Sequence, residues 1–265
     1  RPRLALRVTD ARFTVVALAG GSLEADFRNA GYDVPNKAYL PVAGELMLVR
    51  VLRALRESSA VKQIRCITQA TAAARVPAVA QLCDVIVEPG PDLIGSLLTG
   101  FQGLPDDERV IIAATDMPLL TAAAVTGFAE LAAQTPCDVG YGFVERRLHD
   151  RSYPDVRHTW VRLRDGTFCG AGMSIIRAGA ASQIEGVLRK FTAARKSPAK
   201  LAALFSPALV LKVVTGRLGI AELERRASEL TGLVCRGINC RDAEVAVNVD
   251  RLEDLRTVEN IIAQS

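Results

Sequence analysis

The chain has 265 residues, 49% of them hydrophobic, enough for one large α/β core without a second domain. Its 33 Lys and Arg against 29 Asp and Glu leave a formal charge of +4 scattered along the chain, and aromatics are only 5%, which excludes the basic, aromatic-interleaved surface of a nucleic-acid binder. No apolar run reaches membrane-spanning length, and no apolar segment followed by a cleavage site opens the chain, so neither a membrane partner nor secretion is expected.

Residues 1–12, RPRLALRVTDAR, begin without Met and are taken as a trimmed leader, expected to be disordered, before a single domain over 13–265. The apolar β-rich run that follows predicts a strand at 15–19, buried on both faces. It breaks at Gly20-Gly21, where the lack of Cβ atoms permits a sharp turn and close approach of a ligand to the main chain. A polar loop carries Asn36-Lys37, and LPVAG at 40–44 leads into a helix at 46–57. Then come a strand at 63–68, a helix at 72–82, a strand at 84–87, a helix at 94–100, a strand at 110–114 and a helix at 122–133. This alternation predicts a parallel sheet with helices on both faces. Shorter strands are expected at 138–144, 159–163 and 173–176, with helices at 180–190 and 220–230 inside a helical insertion over about 180–231. Cys235 and Cys240 bracket a further strand, and a strand at 245–249 with a helix at 252–263 closes the chain.

The six cysteines (Cys66, Cys83, Cys137, Cys169, Cys235, Cys240) include no CxxC pair, and His149 and His158 are the only histidines, so a Cys/His zinc site is excluded. The cysteines read as small buried apolar residues of a cytoplasmic protein. Both histidines fall in the polar stretch HDRSYPDVRH and read as solvated loop or rim residues.

Strand, glycine turn and loop lysine together offer phosphates a set of backbone N–H groups and one point charge. Neither GxxxxGK[ST] nor GxGxxG is present, and an ordinary connection with a surface lysine explains Lys37 equally well. Ligands of open α/β sheets bind at the carboxyl ends of the strands. Asp116, in TDMPLL, leaves the strand at 110–114, and Asn248 and Asp250, in VNVD, leave the one at 245–249. One oxygen ligand from each strand end would hold a Mg²⁺. The competing reading makes Asp116 a turn aspartate before Pro118, and Asp250 the N-cap of the closing helix.

Four motifs in this order, LAGG at 18–21, NKAYLPVAG at 36–44, TDMPLLT at 115–121 and VNVDRLEDL at 247–255, resemble the MobA-like NTP transferase family over nearly the whole chain from residue 15. The resemblance implies a GT-A-like, three-layer α/β/α sandwich with a mostly parallel central sheet. It implies a Mg²⁺-dependent nucleotidyltransferase that moves an NMP from an NTP to a phosphorylated small-molecule acceptor and releases pyrophosphate. By the same resemblance Leu18, Ala19, Gly20, Gly21 and Lys37 bind the nucleotide, Lys37 and Asp116 are the catalytic pair, and Asp116 with Asn248 or Asp250 holds the metal.

The chain departs from the family pattern at two places. Many relatives carry an arginine a few residues after the glycine pair; here SLEADFRNAGYDVP intervenes, with Arg28 as the substitute candidate. A family segment that often holds Gly-Gly-Asn for the acceptor reads Gly170-Ala171-Gly172, and AARKSPAK supplies Arg195, Lys196 and Lys200 as further acceptor candidates. An already ionised phosphate acceptor requires no His or Glu base, which suits the scarcity of histidine. Two alternatives stay open: a GT-A glycosyltransferase using a nucleotide sugar, and a non-catalytic nucleotide-sensing module. Against the first, Asp116-Met117-Pro118 lacks the second carboxylate of a DxD metal site.

Overall fold

A strand with no polar face must bury both, and Phe13–Leu18 (β1) does so: Val15 and Ala17 join one apolar layer and Val16 the other. The computed structural model describes residues 11–194, Lys212 and residues 215–264, and builds around β1 an eight-stranded sheet. After β1 come the short helix Ala25–Asn29 (α1), a two-residue hairpin of Pro41–Val42 (β2) and Glu45–Leu46 (β3), and Met47–Glu57 (α2). Val61–Ile67 (β4), Ala70–Ala73 (α3), Pro77–Leu82 (α4), Val85–Val87 (β5), Leu93–Phe101 (α5), Arg109–Ala114 (β6) and Ala122–Gln134 (α6) complete the alternating half. The remainder is Val139–Glu145 (β7), Arg146–Ser152 (α7), Val161–Leu163 (β8), Gly166–Arg177 (β9), Ala181–Ala194 (α8), Ile220–Thr231 (α9), Cys235–Asn239 (β10) and Leu252–Gln264 (α10).

The sheet runs β10-β7-β9-β6-β1-β4-β5, with β8 paired to β9. Every pairing is parallel except those of β9, which runs antiparallel to β6, β7 and β8. Helices α2, α4 and α6 cover one face through Leu48, Leu52, Leu55, Val79, Val125 and Phe128. Helices α5 and α8 cover the other through Leu97, Phe101 and Ile184. Each fully buried Leu or Phe contributes about 2 kcal/mol, so these two layers hold the sheet rigid beneath the site. The architecture is the expected GT-A-like α/β type with a mostly parallel central sheet.

Four local expectations are corrected. The helix at 72–82 is two short helices, because Pro77 takes the first position of α4 and forces Val76 out of the helical region. The segment at 245–249 is not a strand: a 3-10 turn at Ala243–Ala246 leads into an extended stretch whose Val247 and Val249 are buried. It crosses the end of the sheet instead of joining it, and burial from all sides gives it the composition of a strand. The strand at 173–176 is the end of twelve-residue β9, disguised by three glycines. HDRSYPDVRH is not a solvated loop, since its first residues complete α7 and His149 is fully buried. Residues 1–10 of the expected leader, and Arg195, Lys196 and Lys200, lie outside the described residues. Among the described residues no helix is long and apolar enough to cross a membrane.

Candidate active site

Parallel strands β1 and β6 end side by side, and the loops leaving them are tied together at once. Thr115 Oγ1 donates to the Leu18 carbonyl at 2.7 Å, fixing the exit of β6 to that of β1. Asn36, buried, donates through Nδ2 to the Ala19 carbonyl at 2.9 Å and accepts the Ala38 N–H on Oδ1 at 2.9 Å. That second bond opens the single 3-10 turn Lys37–Tyr39 and so aims Lys37. Tyr39 holds the far end of the turn by a 2.7 Å hydroxyl contact with Thr68, at the exit of β4. The segment after the 3-10 turn at Ala243–Ala246 joins from the other side, where the Val249 N–H donates to the Asp116 carbonyl at 2.9 Å.

These ties bring four of the sequence-predicted residues together. Lys37 Nζ stands 2.7 Å from Asp116 Oδ2 and 2.7 Å from Asp250 Oδ1, with Glu24 at 3.9 Å. Asn248 Nδ2 donates to the second Asp116 oxygen at 2.7 Å. Burial by itself would lower the Lys37 pKa, but Asp116 and then Asp250 outweigh it, and the ammonium is held charged well above its usual range. Lys37 and Asp116 side chains are 17% and 19% exposed and Asp250 71%, so the cluster is shielded at its base and open to solvent at Asp250.

Asp250 does not cap the closing helix. Asp254 Oδ2 accepts the N–H groups of Asp250 and Arg251, and Asp26 Oδ2 accepts that of Leu252, which leaves the Asp250 carboxylate to Lys37. Asp26 thereby anchors the long loop after the glycine pair to α10.

Gly21 has φ +101°, a conformation that L side chains rarely adopt, and a Cβ on Gly20 would lie 3.1 Å from Pro89. Gly172 also borders the cluster: a Cβ there would overlap Met117 Sδ and stand 3.2 Å from Asn248 Nδ2. Arg28, by contrast, donates to the Leu23 carbonyl of its own loop and forms no hydrogen bond or ion pair with the cluster. Arg195 and Lys196 are outside the described residues.

Three features escape a sequence reading. Asn36 and Thr115 act through buried hydrogen bonds to carbonyls distant in sequence, for which a single chain carries no signal. The turn Pro89-Gly90-Pro91-Asp92 adjoins Gly20, with Asp92 capping α5 by accepting the Gly95 N–H at 2.7 Å. Its PGPD composition before an apolar helix was the available clue. The third is the histidine pair: His149 Nε2 lies 2.8 Å from His158 Nε2, and both rings pack edge-on to Trp160.

That pair gives a pH prediction. Burial lowers both pKa values, that of His158 from 6.5 to about 4, with His149 adding repulsion and Asp250 and Asp150 acting the other way. Between these values the unfolded chain binds more protons than the folded one, so stability falls as pH drops from 6.5 toward 4. His158→Gln is expected to flatten this part of the curve of melting temperature against pH; a slope equal to wild type would exclude His158 as its source.

A model of the MobA-like NTP transferase domain matches residues 15–201. A hypothetical transferase structure from Thermus thermophilus superposes with TM-score 0.80 at 28% identity, covering 92% of this chain and 99% of that one. A nucleotidyl transferase from Methanothermobacter gives TM-score 0.58 at 16% identity over 96% and 99% of the two chains. A 4-diphosphocytidyl-2C-methyl-D-erythritol synthase from Anaerococcus prevotii gives TM-score 0.58 at 11% identity over 97% and 98%. No curated protein matches the chain.

Proposed function

The chain belongs to the MobA-like NTP transferase family and is a nucleotidyltransferase, and on that premise we propose that it moves an NMP from an NTP to a phosphorylated small-molecule acceptor, with Mg²⁺ as cofactor and pyrophosphate as by-product. The observation that carries this reading is the position of Lys37 Nζ, 2.7 Å from the carboxylates of both Asp116 and Asp250 at the carboxyl end of the sheet. The cytoplasm is the compartment that fits, since all six cysteines are free thiols.

A metal fits these residues. The Lys37 ammonium occupies a nest of hard oxygen atoms as a cation would, and Asp116 and Asp250 are its anionic walls. Among the described residues no three His, Cys, Asp or Glu side chains are placed to hold a metal ion between them, so a metal held here would take its remaining oxygens from water and phosphate. Mg²⁺ favours that arrangement: one or two carboxylates plus substrate oxygens. Asp116 and Asp250 would hold it, with Asn248 fixing the Asp116 carboxylate through its 2.7 Å bond. When bound it would neutralise charge on the phosphates.

The chain's own groups supply the rest. Backbone N–H groups of Gly20 and Gly21 and the Lys37 ammonium face an anionic triphosphate. The acceptor phosphate oxygen attacks the α-phosphorus and the bond to the pyrophosphate oxygen breaks. That oxygen is already ionised near neutral pH, so no side chain need remove a proton. The barrier lies in bringing two anions together, and Lys37 lowers it by meeting the charge that grows on the leaving pyrophosphate.

A screen of the four NTPs against sugar phosphates, phosphocholine and molybdopterin, read by pyrophosphate release, tests the proposal. A nucleotide sugar consumed without pyrophosphate release would favour a glycosyltransferase, and nucleotide binding without turnover a sensing module.

Asp250→Asn is expected to raise the Mg²⁺ concentration for half-maximal rate several-fold, because a hard cation loses an anionic ligand. A titration superimposable on wild type would leave Asn248 as the second metal-side residue.

A further inference from the structure

Tyr141 lies on β7, an inner strand between β10 and β9, yet it is 57% exposed. A large side chain in the middle of a sheet ordinarily lies beneath a helix; this one is open to solvent. Directly across the ladder it faces Ser174, while the neighbouring Phe143 pairs with Gly170. A Cβ on Gly170 would overlap the Tyr141 hydroxyl oxygen, so the phenol lies across bare β9 backbone. Gly170 is itself exposed.

Two residues further along β9, Gly172 touches Met117 and lies beside Asn248, whose amide grips Asp116 at 2.7 Å. Gly170 and Gly172 therefore leave β9 without side chains at the two positions between the exposed Tyr141 ring and the Asn248 amide that holds Asp116. One end of this stretch carries the Lys37 ammonium, 2.7 Å from Asp116, for a phosphate, and the other presents a flat apolar face.

We infer that Tyr141 is a specificity-determining residue of the acceptor site, and that the acceptor phosphate bears a ring, a sugar or a planar heterocycle, whose face rests on the phenol. This rests on the reading of the Asp116 centre as the site of NMP transfer. An aromatic ring gains from a second ring face laid against it, whereas an open-chain phosphate has no such face to present. Gly170 keeps the platform in place: any side chain there would push the phenol aside.

Calorimetric titration with glucose 1-phosphate, a phosphorylated pterin and glycerol 3-phosphate tests the inference, with and without an NTP analogue resistant to cleavage between its α- and β-phosphates. Wild type is expected to bind at least one of the two cyclic phosphates about tenfold more tightly than glycerol 3-phosphate, and the tighter of them separates sugar from heterocycle. Tyr141→Ala should weaken that binding by roughly five- to tenfold. Gly170→Ala should do the same by displacing the ring, and Tyr141→Phe should restore binding. NTP affinity and melting temperature should remain as in wild type throughout. The inference is overturned if glycerol 3-phosphate binds best, if neither cyclic phosphate binds, or if Tyr141→Ala leaves their affinity unchanged. Ring binding with this mutational pattern but no pyrophosphate release would retire the transfer reaction and leave the platform standing.

Discussion

Asp116→Ala is expected to remove Mg²⁺-dependent turnover, by roughly 10³-fold or more, while the protein still folds. The side chain touches Lys37 Nζ with one oxygen and Asn248 Nδ2 with the other, both at 2.7 Å. Removing it takes away the one carboxylate joined to both partners. The bond that holds the loop to the sheet is different: the Asp116 carbonyl accepts the Val249 N–H, and alanine keeps that carbonyl. What stability is lost comes from Lys37, which keeps Asp250 and the more distant Glu24, and from Asn248, left without its acceptor, at a cost of about 1 kcal/mol each in a site that water can reach. Pyrophosphate release and thermal melting are measured on the same preparation. Turnover near wild type would end the case for Asp116 as a metal ligand, and a gross loss of melting temperature would make it a structural turn residue.

Lys37→Ala should lower turnover by about 10²-fold and raise the NTP requirement, because the ammonium binds the growing transition-state charge more strongly than the ground state. Its pKa is raised by Asp116 and Asp250, so the group stays charged at any pH suited to assay, and its loss cannot be mimicked by mild alkali. A second readout comes from stability. On the proposed reading, Mg²⁺ in wild type competes with the ammonium for the oxygens of Asp116 and Asp250, each 2.7 Å from Lys37 Nζ. In Lys37→Ala those carboxylates confront each other unneutralised, so added Mg²⁺ should raise the variant's melting temperature more than that of wild type. Kinetics equal to wild type would make Lys37 a surface lysine. An equal Mg²⁺ response in both proteins would move the metal away from these carboxylates.

The order of strands and helices through the first half of the chain was readable because buried parallel strands are apolar throughout and their helices carry one apolar stripe. The lysine loop, Asp116 and the Asn248/Asp250 pair stand at element ends with recognisable neighbours, so their places along the chain were readable too. What the local pattern could not supply was direction and partnership. Strand β9 hides behind Gly166, Gly170 and Gly172, and nothing in its composition says that it runs antiparallel between β6 and β7. The apolar run at 245–249 carries a strand's composition because it is buried, yet burial comes from crossing the sheet end rather than pairing within it. The assignment of Asp250 turned on Asp254 and Asp26, which take over the N–H groups at the start of α10 and leave its carboxylate for Lys37.

His149 and His158 show the limit most plainly. A polar neighbourhood in sequence predicts solvent, but α7 turns His149 inward onto Trp160 while Arg147 and Arg151 stay exposed. Composition and periodicity therefore determined the α/β class, and the resemblance of four motifs to a family supplied the candidate residues. Which of those residues meet, and in what charge state, was decided by contacts between groups far apart in the chain, such as Asn36 with Ala19, Thr115 with Leu18 and Lys37 with Asp250. Such hydrogen bonds and ion pairs depend on distances of a few ångströms that only the packed sheet and its covering helices set.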